Sequence, residues 1–358
     1  MKTIENAIIK QNRRNLWTYY KSFRFSLLNA QNTDVGIAQY QKLNPKPILF
    51  VENLYKKYPR KKKPAINNIS FNVYPGQFHA FIGANGAGKT TSIKSIIAAY
   101  ARWSGTVLIN GKKNTSIDAK KHLGYIPENA KFPTKMSCMS YLVWMARLSG
   151  LSKFAAKKFA KNRLVELKLW SLRFKSPNSF SSGQKKKVLL AQALINNPDV
   201  LVMDEPAANL DPKARLELFD ILGNLTKQGK AILISSHVLS ELDKYANAAT
   251  ILDGGKIVFS GTIKELYSKY SERKLVMKVS NPIKFNALLR TNLFDYSYNE
   301  SDKVFTIKVP KRQIESNLLL LIRKSNISIL ALNESGNKLD DIYKKLVKLG
   351  SVDTMTNQ

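Results

Sequence analysis

The chain has 358 residues, 44% of them hydrophobic, and 58 lysines and arginines against 25 aspartates and glutamates give a formal net charge of +33. That size accommodates one sizeable α/β core and a smaller unit, and the single cysteine, Cys138, excludes an internal disulfide and fits a reducing compartment. No run approaches the roughly 18 apolar residues of a membrane-spanning helix, and residues 1–11 lack the apolar segment of a signal peptide, so any membrane part is expected on another polypeptide.

The charge admits a nucleic-acid reading. Lysine, asparagine and isoleucine are abundant together, however, as in A- and T-rich coding sequence, and a solvated lysine surface is the favoured interpretation. Such a surface still draws a protein toward anionic lipid head groups or RNA, with binding that weakens as salt rises.

In chain order, Ile9, Leu16, Tyr20, Phe23 and Leu27 share one helical stripe, with Lys10, Arg13, Lys21 and Arg24 beside it. This basic amphipathic helix suits a membrane surface, a partner protein or the body of the protein itself. Residues 32–47 read as a linker. Strand-like runs at 47–54, 69–73, 77–82 and 106–109 predict an antiparallel portion joined to a parallel core, with Arg60 to Lys63 a solvated loop. After the third run comes Gly83-Ala84-Asn85-Gly86-Ala87-Gly88-Lys89-Thr90-Thr91, a glycine-rich loop opening a helix. Glycines let backbone N–H groups converge on phosphate oxygens, the helix turns its positive end toward them, and Lys89 reaches the outer phosphates. Thr90 then holds Mg²⁺ through its hydroxyl. This predicts a nucleoside triphosphate site.

Farther on, helix-spaced Tyr141, Trp144, Met145 and Leu148 and a basic run at 153–167 predict a helical subdomain over about 129–180. Phe180-Ser181-Ser182-Gly183-Gln184 precedes a helix with its N-cap at a serine or glycine, a second anion site. Residues 199–205 form a buried-strand pattern ending in Asp204 and Glu205, which suits a parallel strand that delivers charge to a metal–phosphate centre. There Asp204 serves the Mg²⁺ shell and Glu205 orients and deprotonates the attacking water. His237 ends an apolar strand and by itself reads as a histidine satisfied by a carbonyl; His79 and His122 read as structural. Beyond 271 the pattern runs strand, helix, strand, strand, helix, strand, helix, a small α+β domain.

These motifs together resemble the ATP-binding-cassette (ABC) ATPases, the nucleotide-binding components of membrane transporters. Residues 180–184 match that family's signature, and Tyr58 sits where the family stacks an aromatic on adenine. Residues 124–128 fall at its Q-loop, with Glu128 for the usual glutamine, Asn209-Leu210-Asp211 at its D-loop and residues 234–237 at its switch histidine. The match spans about 48–268. The resemblance implies a P-loop cassette with a mixed sheet, an antiparallel portion and a helical subdomain, flanked by a helical extension at 1–47 and an α+β domain at 269–358. It implies ATP and Mg²⁺ as cofactors, with Tyr58, Gly83, Asn85, Gly86, Gly88, Lys89, Thr90 and Thr91 on the nucleotide. Thr90, Glu128 and Asp204 fall to the metal, and Glu205 and His237 to catalysis. Ser181, Gly183 and Gln184 would complete the partner's site in a head-to-tail pair, and Asp211 would couple the two sites.

Two departures bear on turnover. Glu128 adds a negative charge near the phosphates, and Ser182 brings a Cβ to a position that is strained if its φ is positive. The partners implied are a separate transmembrane permease, a second cassette and an anionic membrane surface at the cytoplasmic face. Met136, Met139 and Tyr141 stand equally for the permease groove or for core. The tail Leu339-Asp340-Asp341-Ile342-Tyr343 resembles exporter ATPases and points to export. The alternatives are a soluble ABC ATPase acting on nucleic acid or the ribosome, and a nucleotide-responsive subunit with little turnover.

Overall fold

The computed structural model describes residues 46–236, 239, 242–270, 274–309, 312–335 and 339–352. Two compact units divide at Pro47 and Ile48, and the architecture described here belongs to the second. The basic stripe at 9–27 and His237 lie outside the described residues.

The centre is a six-stranded sheet in the order β10-β9-β3-β8-β7-β6. It is built from β3 (Phe78–Ile82), β6 (Leu123–Ile126), β7 (Val200–Met203), β8 (Ala231–Ser236), β9 (Ala248–Asp253) and β10 (Lys256–Thr262). All neighbours are parallel except the β9–β10 hairpin. Strands β3, β7 and β8 are buried at every position, the mark of a parallel sheet covered on both faces. Their period of two sorts the side chains: Leu201, Met203, Ile232 and Ile234 enter one core, and Val200, Val202, Ala231 and Leu233 the other.

A second, antiparallel sheet of order β2-β1-β4-β5 comprises β1 (Leu49–Lys56), β2 (Ile66–Val73), β4 (Ser104–Ile109) and β5 (Lys112–Lys113). Its apolar residues share the second core with Phe81, Ile93 and Leu252. The run at 77–82, expected in the antiparallel portion, belongs instead to the parallel sheet, where Phe78 to Ile82 pair with β8 and β9. Arg60 to Lys63 form an exposed turn between β1 and β2.

Helices α1 (Lys89–Ile96) and α2 (Ile117–Lys121) lie early in the chain, followed by α3 (Cys138–Leu148), α4 (Lys153–Glu166) and α5 (Ser182–Ala193). Ser137, Ser152 and Ser181 cap α3, α4 and α5 by accepting a hydrogen bond from the backbone N–H three residues on. Tyr141 is buried, and its hydroxyl donates to Gln192 Oε1; Met136 and Met139 pack partly buried against the same core. The core reading holds for all three. The exposed apolar side chains of α3 and α4 are Trp144, Leu148, Phe154 and Val165.

Helices α6 (Pro212–Lys227) and α7 (Ile263–Tyr270) precede a βαββαβ segment formed by β11 (Lys274–Val279), α8 (Pro282–Thr291), β12 (Tyr296–Asn299), β13 (Val304–Lys308), α9 (Arg312–Lys324) and β14 (Ile329–Ser335). Its antiparallel order, β12-β13-β11-β14, is the ferredoxin-like arrangement, and Met277, Phe285, Leu289, Phe305, Ile307 and Leu318 give it its own core. Helix α10 (Leu339–Val352) returns to the large sheet: Leu339, Ile342 and Leu346 are buried in the cassette core.

Candidate functional site

Four parallel strands of the large sheet deliver polar segments to the same edge. Register pairs Ile82 with Ser236, Met203 with Ile234 and Ile126 with Met203. The glycine-rich loop after β3, the carboxylates after β7, Ser235 and Ser236 on β8 and Glu128 after β6 therefore converge at the C-terminal ends, where open α/β sheets bind ligands.

The loop is held in shape by steric necessity. Gly88 has φ +106, and a Cβ there would lie 2.5 Å from the Ala65 carbonyl oxygen. A Cβ on Gly83 would meet Leu252 O at 2.8 Å. Gly88 caps α1 without a side chain, so the first N–H groups of that helix face the loop with no side-chain acceptor, the arrangement that receives phosphate.

Lys89 is buried; its Nζ donates to Gly83 O at 2.7 Å and Ala84 O at 3.2 Å and lies 3.3 Å from Glu205 Oε1. Asp204, 2% exposed, accepts from Thr90 Oγ1 at 3.1 Å and Ser235 Oγ at 2.9 Å. Ser235 Oγ also accepts from the Glu205 backbone N–H at 2.8 Å, and Glu205 sits at φ +45. A non-glycine residue held in the left-handed region is a costly conformation that the surrounding bonds must fix. Sequence reasoning did not single out Ser235; a serine at the end of a buried β-branched strand was the available signal.

A cavity of about 290 Å³ is lined by Ala84, Asn85, Gly86, Gly88, Lys89, Thr90, Thr91, Glu128 and Glu205, with Ala65 and Ala208. Most of the expected nucleotide and metal residues are thus gathered in one place. Tyr58 stands beside it: its hydroxyl is 3.3 Å from Thr91 Oγ1 and donates to Tyr100 Oη at 3.0 Å, and the two rings meet edge to face at 6.0 Å. Tyr100, with no motif around it, was missed by sequence reasoning.

The signature segment lies elsewhere. Ser181 and Gln184 form a reciprocal capping box, Gln184 N donating to Ser181 Oγ at 3.3 Å and Ser181 N to Gln184 Oε1 at 3.0 Å. Ser182 is the first residue of α5 and has no positive φ, so the strain feared for its Cβ does not arise. A Cβ on Gly183 would meet Ala214 Cβ at 2.8 Å, which explains glycine there by close packing of α6. Asp211 caps α6, accepting from Ala214 N at 2.8 Å.

His79 and His122 have structural partners. Buried His79 shares a 2.8 Å hydrogen bond with Thr250, and burial pushes its pKa down to about 3. His122 Nδ1 is 2.5 Å from Asp199 Oδ2. At the other end of the chain Tyr343, on α10, packs partly buried against the cassette core.

The donor set fits a hard cation. Among the described residues no cluster of three histidine, cysteine or acidic side chains could hold a metal. A threonine hydroxyl meeting a carboxylate, with Glu128 on the same cavity wall, leaves most positions to phosphate and water, as Mg²⁺ prefers.

A family model described as ABC transporter matches residues 66–208. An ABC transporter ATP-binding protein of Mycoplasma pneumoniae is 38% identical over 304 residues, 84% of this chain and 93% of that one. The Nod factor export ATP-binding protein I of Burkholderia pseudomallei is 31% identical, over 57% of this chain and 68% of its own. The solved cbiO1 of Clostridium perfringens, part of the ABC transporter complex cbiONQ, superposes with a TM-score of 0.55 at 27% identity, covering 62% of this chain and 91% of that one. The phosphate loop, the paired carboxylates and the cassette fold agree with these likenesses: the chain belongs to the ABC transporter family, as an ATP-binding subunit with ATPase activity.

Proposed function

We propose that this ATPase drives export, as one of two cassettes that close head to tail beneath a separate membrane permease at the cytoplasmic face. One observation supports the reading: the signature segment stands apart from the cavity. Ser181 and Ser182 are exposed, and no residue of 180–184 lines the cavity. An exposed, capped helix N-terminus of eight or more residues offers its positive end to phosphate, and a second copy or close relative supplies the geometry in which it meets one. The Nod factor export relative supports the direction. Among the described residues no helix is long and apolar enough to cross a membrane, which agrees with a permease on another chain. Exposed Trp144, Leu148 and Phe154 are better candidates for its contact than Met136, Met139 and Tyr141.

Within each site Thr90, Asp204 and Glu128 would hold Mg²⁺, which when bound neutralises charge on the phosphates. Lys89 exchanges its bonds to Gly83, Ala84 and Glu205 for phosphate oxygens. Glu205, released from Lys89 and anchored through its backbone on Ser235, takes the proton of the attacking water. Ser235 keeps Asp204 oriented, and His237 is proposed to contact the γ-phosphate.

Light scattering on the Glu205→Gln chain with ATP tests the pairing. A dimer is expected with ATP, and addition of Ser181→Arg should leave a monomer that still binds ATP. A parent chain saturated with ATP yet monomeric refutes the reading.

A further inference from the structure

Lys186 lies one turn into α5 and is 7% exposed. Its ammonium donates to Pro127 O at 2.9 Å and to Glu128 O at 2.5 Å. These are the first two residues after β6, and the second of them lines the nucleotide cavity. The flanking lysine behaves differently: Lys187 pairs with Glu217 across to α6, and neither lines the cavity. A buried ammonium is costly to desolvate and persists only where acceptors and opposite charge surround it. Here two carbonyls supply the acceptors, and the carboxylates of Glu128 and Asp204 supply the opposite field, partly offsetting the burial that pushes the ammonium's pKa down to about 8.

We infer that Lys186 is a positioning residue with two linked tasks. It bolts the loop that carries Glu128 to the helix that carries Ser181, and its positive charge offsets the carboxylate that Glu128 brings beside the phosphates. The inference rests on the proposed pairing for its second consequence: the helix presented to one nucleotide is fastened to the loop that senses the other. Its first consequence, charge compensation inside one chain, needs no partner. A lysine at this position makes a glutamate tolerable where a neutral side chain would otherwise be required to keep negative charge away from triphosphate.

The test is a double-mutant cycle on the full chain with Lys186→Met, Glu128→Gln and both together. ATP affinity is measured by calorimetry with EDTA present, and melting temperature without nucleotide. Lys186→Met should weaken ATP about tenfold, whereas the double variant should bind within about twofold of Glu128→Gln alone, because removing the carboxylate removes the uncompensated charge. The melting temperature lost in Lys186→Met should stay lost in the double variant, since the Pro127 and Glu128 carbonyls still lack their donor. Additive effects on ATP affinity overturn the charge assignment, and an unchanged melting temperature overturns the bolt. Should Lys186→Met fail to fold, Lys186→Gln carries the same cycle. If the wild-type chain binds ATP but never pairs, the head-to-tail reading falls while this cycle still decides the role of Lys186.

Discussion

Replacing Glu205 by glutamine removes one negative charge from the cavity and nothing else of size. Two effects of opposite sign follow. The side chain that accepts the water proton is gone, and general-base catalysis contributes about 10² to 10⁴ in rate, so hydrolysis should fall by that factor, roughly 3–5 kcal/mol of barrier. Lys89 meanwhile faces a neutral amide oxygen in place of a carboxylate 3.3 Å away; both side chains are largely buried, at 6% and 12% exposure, so solvent screens the pair little. The surplus of a charge-paired hydrogen bond over one to a neutral acceptor is about 1 kcal/mol. That amount no longer has to be given up when the ammonium turns to phosphate, so ATP should bind roughly fivefold more tightly. The nucleotide-free protein should melt lower, because a buried cation has lost its counter-charge. Single-turnover hydrolysis, calorimetric ATP titration and thermal melting measure the three quantities. A variant that binds ATP no more tightly than wild type refutes the exchange of Lys89 from carboxylate to phosphate, and one that turns over at the wild-type rate refutes Glu205 as the base.

Gly88→Ala should lose both stability and nucleotide. Strain at φ +106 costs about 1–3 kcal/mol, and overpacking against the Ala65 carbonyl 2.5 Å away costs about 1–3 more; an urea midpoint within error of wild type would contradict this. His79 links stability to acid. Its folded pKa is held near 3 by burial, below the ordinary value of about 6.5, so as pH falls through 6.5 the unfolded chain binds a proton the folded one refuses. Its contribution is intact above that pH and declines by up to about 1.4 kcal/mol per pH unit down toward pH 3. Melting curves from pH 7 to 4 should flatten in His79→Gln relative to wild type, and parallel curves would show that another group governs the slope.

The phosphate loop, Asp204 and Glu205 were legible because each is a local pattern: glycines before a helix, an apolar strand ending in acids. The succession of strands and helices from β11 to β14 was legible for the same reason. Strand partners are not local. Nothing within Phe78 to Ile82 records that its neighbours are β8 and β9 rather than β2, and the run was placed in the wrong sheet. Lys186, Tyr100 and Ser235 escaped attention because a lysine among lysines, a lone tyrosine and a strand-end serine acquire meaning only from what the fold sets against them. Ser182 shows the converse. A residue that looked strained in the string is simply the first of a helix, and Asp211, read as coupling the two sites, is also a helix N-cap followed by the preferred N1 proline.

Leu339, Ile342 and Leu346 of α10 are buried in the cassette core, which has a consequence for biosynthesis. Chains elongate at roughly 5–20 residues per second, so on the order of tens of seconds separate the emergence of the glycine-rich turn from that of the last helix. Throughout that interval the growing polypeptide leaves bare the apolar surface that those three side chains will cover, and the large core closes only once the far end has folded home.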